Sequence, residues 1–390
     1  LFWKTSKEEQ SRKKDVIMVV GWHRPTRIHV DTNAITENVV REKERLPQAT
    51  ELFAVVKADG YGHGAVQTAK AALKGGATGF CVAILDEAIQ LREAGITEPI
   101  LILGIVGLKD LPLVLDYDLS VTVATQEWLT AARDQLQELQ DKRQLKVHIK
   151  VDTGMGRIGF LTADATQTAV ATIKNSEALL WEGIFTHFST ADQADAAYFE
   201  QQNQRFQAII GQLKEQPRYV HVSNSATALW HSAANGNMVR FGIAMYGLNP
   251  SGGTLPASYP LQPALSLTSE LIQVKRLSAG EGVGYGKTYI TSSEEWIGTI
   301  PIGYADGWLR QMQGFSVLVN GQKCEIIGRV CMDQCMIRLN EEVAVGTKVT
   351  LIGKDGEEEI TMQMVADQLQ TIHYEVACTF SQRIPREYKE

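Results

Sequence analysis

The chain has 390 residues, 44% hydrophobic and 21% charged, enough for a sizeable core in two or three domains, or in one barrel with an addition. A formal net charge of -7 argues against a nucleic-acid groove, and no apolar run reaches the length of a membrane span. Five cysteines, odd in number and without a Cys-x-x-Cys pair, argue against a disulfide framework. Cys324, Cys331 and Cys335 lie close together, but no fourth ligand stands at a zinc-site spacing, so buried free thiols are the better reading.

Residues 1–15 are polar and charge-rich and lack the apolar h-region of a secretory signal, so a cytoplasmic location is expected. The strand expected at Arg27–Asp31 alternates cleanly, precedes the barrel proper and is a candidate to pair with the second domain. Next comes Phe53-Ala-Val-Val-Lys57-Ala-Asp-Gly-Tyr61-Gly-His63-Gly64. It starts as a buried strand and ends in glycines at alternate positions that free the backbone to turn, with a helix from about Ala65. Lys57 stands at the carboxyl end of that strand, where α/β proteins build sites and where a desolvated amine can attack an aldehyde. On position alone, a lysine with a packed stem and a solvated head is an equal reading.

Eight strands are expected between Thr26 and Phe241: Leu52–Val56, Gly79–Val82, Ile100–Leu103, Leu119–Val123, Lys146–Val151, Trp181–Phe185, Tyr219–Val222 and Met238–Phe241. Helical periodicity intervenes at 86–94, 126–140, 163–174 and 195–214. An eightfold βα alternation predicts an α/β fold with a (β/α)8 TIM-like barrel. The alternative, an open doubly wound sheet, lacks a Gly-x-Gly-x-x-Gly after its first strand. Asn249–Pro263, rich in Pro, Gly and Ser, reads as a linker. The short alternating runs beyond it predict a mainly β C-terminal domain with one helix at Met362–Leu369. The expected division is 1–17 disordered extension, 18–260 barrel and 261–390 β domain.

Four further turns fall at predicted strand ends. Lys150-Val-Asp152-Thr-Gly154-Met-Gly156-Arg157 follows the fifth strand and Thr186-His187 the sixth. Ser223-Asn224-Ser225 follows the seventh, and Arg240-Phe-Gly242-Ile243 ends the eighth. Singly, His187 reads as a core histidine, Ser225 as an N-cap and Arg240 as a surface ion pair. Four such turns on one barrel face point to a site. In the β domain, Gly284-Tyr285-Gly286 by itself reads as a hairpin turn.

The stretch Val55–Gly64 closely resembles the cofactor-lysine signature of the alanine racemases, and the resemblance extends from Met18 to Tyr388. It implies that Met18 is the native start, and that the enzyme uses pyridoxal 5'-phosphate to interconvert L- and D-alanine, supplying D-alanine for peptidoglycan. Residue by residue, it implies that Lys57 carries the cofactor and that Tyr61, Ser225, Gly242, Ile243 and Tyr374 hold its phosphate, with Asn224 beside them. Arg240, supported by His187, faces the pyridine nitrogen, and Arg157 bonds the phenolic oxygen and reaches the substrate carboxylate. Tyr285 is the second base, the Met332 amide binds substrate, and Tyr304 lines the approach. Lys150 matches a lysine carbamylated in some members; unmodified, it would be a like-charge neighbour of Arg157, and both states stay open. The resemblance also implies a head-to-tail homodimer with shared active sites, without membrane or nucleic acid.

These residues suit racemisation, because inverting a centre calls for acid–base groups on both faces of the substrate. The alternatives are a serine or broad-specificity racemase, a barrel-type decarboxylase lacking the Tyr285 and Cys331-Met332-Asp333 features, and a non-catalytic cofactor carrier lacking the β domain.

Overall fold

The computed structural model describes residues 19–139, 141–234 and 236–390, so the extension expected over 1–17 lies outside the described residues. The described chain forms two compact units, residues 31–264 with 388–390, and residues 265–387 with those up to 30.

In the first unit eight parallel strands run in the order β8-β7-β6-β5-β4-β3-β2-β9. They are β2 (Glu51–Val55), β3 (Gly79–Val82), β4 (Ile100–Ile102), β5 (Ser120–Val123), β6 (Leu145–Lys150), β7 (Leu179–Phe185), β8 (Tyr219–His221) and β9 (Met238–Phe241). A parallel bridge between Ser223 and Val239, with the Arg240 amide donating to Ser223 at 3.0 Å, nearly closes the ring. This is the predicted barrel, and every residue of β3, β4, β5 and β9 is buried, as strands covered on both faces require.

The helices include α1 (Thr32–Arg45), α2 (Ala65–Lys74), α3 (Leu85–Glu93), α4 (Leu111–Asp116), α5 (Gln126–Leu139), α6 (Ala163–Lys174), α7 (Ala197–Ile210) and α8 (Ser225–Trp230). The helix expected over 195–214 is shorter, stopping before Gly211. Asn249–Pro263, expected to be a linker, is tied down. Buried Asn38 on α1 donates to the Gln262 carbonyl at 2.8 Å and accepts from its amide at 2.9 Å, and Trp230 donates to the Pro256 carbonyl at 2.9 Å.

The second unit is a mainly β fold. The strand expected from Leu265 to Val274 is two strands, β10 (Leu265–Glu270) and β11 (Gln273–Leu277). Leu271 donates to Thr347 and Ile272 to Thr299, so the chain changes partners there. β1 (Arg27–Asp31) pairs antiparallel with β10, matching Arg27 to Thr268. The helix at Met362–Leu369 is present, capped by Thr361, whose hydroxyl accepts from the Met364 amide at 3.2 Å. A second helix, His373–Thr379, corrects the single-helix expectation; it is short and its N-cap, Ile372, offers no side-chain acceptor. No helix among the described residues is long and apolar enough to cross a membrane.

Candidate active site

Lys57 follows β2 at the end of the barrel from which the βα loops leave. The turn after it departs from expectation: the left-handed conformation is shared between glycines and residues with side chains. Ala58, Asp59, Gly60 and Tyr61 have φ of 52, 51, 61 and 51°. Each non-glycine residue held there costs roughly 1–2 kcal/mol, so this run persists only if its surroundings over-determine it. Within the turn, Gly60 donates to the Val56 carbonyl at 2.8 Å and Gly64 to Asp59 at 2.8 Å. The Asp59 carboxylate accepts from the Ala65 amide at 2.9 Å, starting α2. The Lys57 ammonium lies 5.8 Å from the centre of the Tyr61 ring.

Arg240, the third residue of β9, is buried in a polar network. One guanidinium nitrogen donates to His221 Nδ1 at 2.8 Å; the other donates to the carbonyls of Thr186 at 3.0 Å and Val222 at 3.1 Å and stands 3.4 Å from His187 Nδ1. A guanidinium can only donate, so His221 Nδ1 is an acceptor and the ring proton is on Nε2. That nitrogen lies 2.9 Å from His148 Nδ1, and His148 Nε2 lies 3.0 Å from Glu182. The Ser120 hydroxyl donates to the same carboxylate oxygen. The buried cation is thus linked through two imidazoles to one carboxylate. Burial lowers the Arg240 pKa to about 10, with Arg157 adding to the fall and Cys81 opposing it, which leaves it charged at neutral pH.

The resemblance pairs Arg240 with His187, which stands 3.4 Å away, whereas the shorter contact is to His221 at 2.8 Å. His221, His148 and Glu182 were missed as a set. Their signal was polar residues on strands otherwise built of buried apolar ones.

The loop after β6 is organised by Asp152, whose carboxylate accepts from the amides of Gly154 at 2.9 Å, Gly156 at 3.1 Å and Arg157 at 3.0 Å. Burial opposes ionisation of Asp152, but those amides and the Lys150 charge outweigh it, and its pKa lies below the ordinary carboxylate value. Burial draws Lys150 down to about 8, with Arg240 and Arg157 adding to the fall and Asp152 opposing it. His187 lies well below its usual value, because of burial first and then Arg240, Arg157, Lys150 and Lys57. Four cations bear on one imidazole, so the site is electropositive. From α7, buried Gln202 braces the loop after β7, accepting from the Ser189 amide at 2.9 Å and donating to the His187 carbonyl at 3.3 Å.

Ser225 is not the N-cap of α8. Asn224 is, its side-chain oxygen accepting from the Thr227 amide at 2.9 Å. The Ser225 hydroxyl accepts instead from the amides of Gly242 at 2.9 Å and Ala244 at 3.3 Å. A Cβ on Gly242 would stand 3.1 Å from the Tyr61 hydroxyl and 3.8 Å from Ser225 Oγ. The missing side chain leaves a small cradle walled by two hydroxyls, followed by a 3-10 turn at Ile243–Tyr246.

The β unit carries the other predicted residues. Tyr285, 70% exposed, stands between Gly284 and Gly286 at φ 70 and 75°. The two-stranded hairpin of Gly282–Val283 with Tyr289–Ile290 surrounds it, the geometry that the plain hairpin reading anticipated. Tyr304 and Met332 stand on two segments joined by backbone bonds: Tyr304 donates to the Cys331 carbonyl and Ala305 to that of Met332, both at 3.0 Å. Tyr374 lies on the helix missed from sequence, its ring 4.9 Å from that of His373. Among the described residues no group of three His, Cys, Asp or Glu is placed to hold a metal ion.

Two family models match, the N-terminal domain of alanine racemase over residues 30–250 and its C-terminal domain over 264–388. The alanine racemase of Levilactobacillus brevis is 59% identical over 372 residues, covering 95% of this chain and 100% of the relative. The crystal structure of alanine racemase from E. faecalis is 71% identical, with a TM-score of 0.94 over 95% of this chain and 100% of that one. A histidine racemase from Leuconostoc mesenteroides subsp. sake is 34% identical, with a TM-score of 0.90 over 96% of this chain and 100% of its own.

Proposed function

This chain belongs to the alanine racemase family, and on that premise we propose that it interconverts L- and D-alanine with Lys57 and Tyr285 as bases on opposite faces of the substrate. The family depends on pyridoxal 5'-phosphate, and the residues present fit that group. The supporting observation is the cradle at Gly242, walled by the Tyr61 and Ser225 hydroxyls, beside an electropositive cluster suited to a phosphorylated anion.

Ser225, Gly242, Ile243, Tyr61 and Tyr374 would hold the phosphate, with Asn224 ordering the turn. Lys57 would carry the group, Arg240 with His187 would face its ring nitrogen, and Arg157 its phenolic oxygen. When bound, the cofactor supplies the electron sink that lets an α-proton leave an amino acid near neutral pH. Lys57 Nζ takes or returns the proton at Cα on one face and Tyr285 Oη does so on the other. Phenols ordinarily titrate near ~10, so Tyr285 needs cations beside it to act at pH 7. Arg157 and the Met332 amide orient the substrate carboxylate.

The barrel and β domains belong to the same proposal, with bounds shifted from the expected 18–260 and 261–390, since residues up to 30 group with the β unit and 388–390 with the barrel unit. So does a head-to-tail homodimer in which Tyr285 and Met332 serve the partner's site. Exposure of 70% for Tyr285 and 52% for Met332 in the single chain supports that arrangement. D-alanine supply for peptidoglycan and a cytoplasmic location are carried by kinship alone.

Incubation with pyridoxal phosphate and L-alanine in D₂O tests the mechanism. D-alanine with deuterium at Cα is the expected product. L-alanine that gains deuterium without inverting would sink the two-base reading. A panel including histidine and serine tests specificity, since one methylene discriminates by only ~1–3 kcal/mol.

A further inference from the structure

Glu87 is the third residue of α3, and one of its oxygens does what an acid at that position commonly does. Oε2 accepts from the backbone of its own helix start, Ala83 at 2.7 Å and Ile84 at 3.3 Å. Oε1 leaves the helix altogether and accepts from the Ala58 amide at 2.6 Å. Ala58 directly follows Lys57 and begins the run of five left-handed residues, Ala58 to Gly62. The carboxylate therefore bridges the loop after β2 to the loop after β3. It holds the one N–H at which the strained turn leaves the strand; just before it, the Val56 amide is held by the Cys81 carbonyl at 3.0 Å. Lys57 lies between these two anchors. Asp59 fastens the far end of the turn to Ala65, and Glu87 ties its start to another βα unit.

We propose that Glu87 is a positioning residue for Lys57: its bridge to Ala58 holds the left-handed turn in register, so that the Lys57 amine meets a carbonyl ligand in one fixed direction. The proposal rests on the reading of Lys57 as the cofactor lysine. It assigns Glu87 no contact with cofactor or substrate.

The test uses the full chain, as wild type, Glu87→Ala and Glu87→Gln, freed of cofactor. Backbone amide exchange in the peptide 57–62 reads how often the turn opens. Timed borohydride reduction after addition of pyridoxal phosphate, with peptide mass mapping, reads how fast Lys57 is captured. Loss of a charge-assisted bond is expected to speed exchange in that peptide roughly tenfold or more in Glu87→Ala and to slow capture comparably. Glu87→Gln keeps one accepting oxygen in place of two and is expected to fall between. Exchange in α5 (Gln126–Leu139) of the same unit serves as the control for a general loss of stability and is expected to be unchanged. Exchange at 57–62 matching wild type overturns the proposal, and so does faster exchange with capture at the wild-type rate. Should Glu87→Ala fail to fold, Glu87→Gln decides by the same two readouts. Wild-type protein that is never captured at Lys57 sinks the site reading and the proposal with it. A failure confined to the variants sinks the proposal alone.

Discussion

In the barrel unit, Arg240, His221, His148 and Glu182 are buried and joined donor to acceptor across four strands; in the β unit, Tyr285, Tyr304 and Met332 stand on turns and are 70, 39 and 52% exposed. A buried cation is tolerable only where its donors are matched, so folding of one chain sets its surroundings. An exposed phenol between two left-handed glycines has no such constraint and takes its chemistry from charge brought beside it. The barrel residues are thus pre-organised for binding, while Tyr285 is held on an exposed turn.

The sharpest break of this comparison is Lys57→Ala, expected to abolish cofactor attachment and cut racemisation at least about a thousandfold. Protein-bound absorbance and chiral turnover read the two effects. Tyr285→Phe is expected to cost ~10²–10⁴ in turnover while leaving cofactor absorbance unchanged. Loss of the cofactor in that variant would mean that Tyr285 also helps to bind it.

Next in size is a pH effect set by buried histidines, to which His373 of the β unit, drawn down to about 4 by burial, also contributes. His187 and His221 are held well below 6.5, in both cases by burial first and then by neighbouring cations such as Arg240. Below 6.5 the unfolded chain takes up protons that the folded one refuses. Stability is therefore full above that value and is lost as pH falls through 6.5 toward the folded pKa, by up to about 1.4 kcal/mol per pH unit for each histidine. Denaturant midpoints between pH 7 and 5 should show this slope, and His187→Asn should reduce it. A slope identical to wild type would place the linkage elsewhere.

The smallest expected effect treats the units alike. Thr162 caps α6 and Thr361 caps the helix Met362–Leu369, each hydroxyl accepting a backbone amide at 3.2 Å. Replacing either with Ala should cost about 1 kcal/mol in denaturant unfolding. A several-fold larger loss at one of them would mean that the two units differ in more than burial.

The eight barrel strands, the lysine at the end of the first, the glycine-loosened loop before Arg157 and the β character of the C-terminal region were all legible in the sequence. Each is written in local patterns: apolar runs, three- and four-residue steps, and glycine positions. The short helix at His373–Thr379 escaped because it has no side-chain cap. Ser225 was read as the plainer N-cap when taken alone, because a hydroxyl opening a helix looks the same whether it caps that helix or accepts from Gly242, 17 residues away.

Tertiary structure alone decided which polar residues meet. His148 and His221 are separated by 73 positions and His148 and Glu182 by 34, so no periodicity could pair them. Burial at the barrel's centre forces the pairing, because a guanidinium there must find acceptors. The left-handed path through Ala58, Asp59 and Tyr61 is likewise a tertiary decision. Those residues disfavour it on their own, the neighbouring glycines suggested a different division of labour, and an acceptor on α3, 29 positions away, helps to hold it.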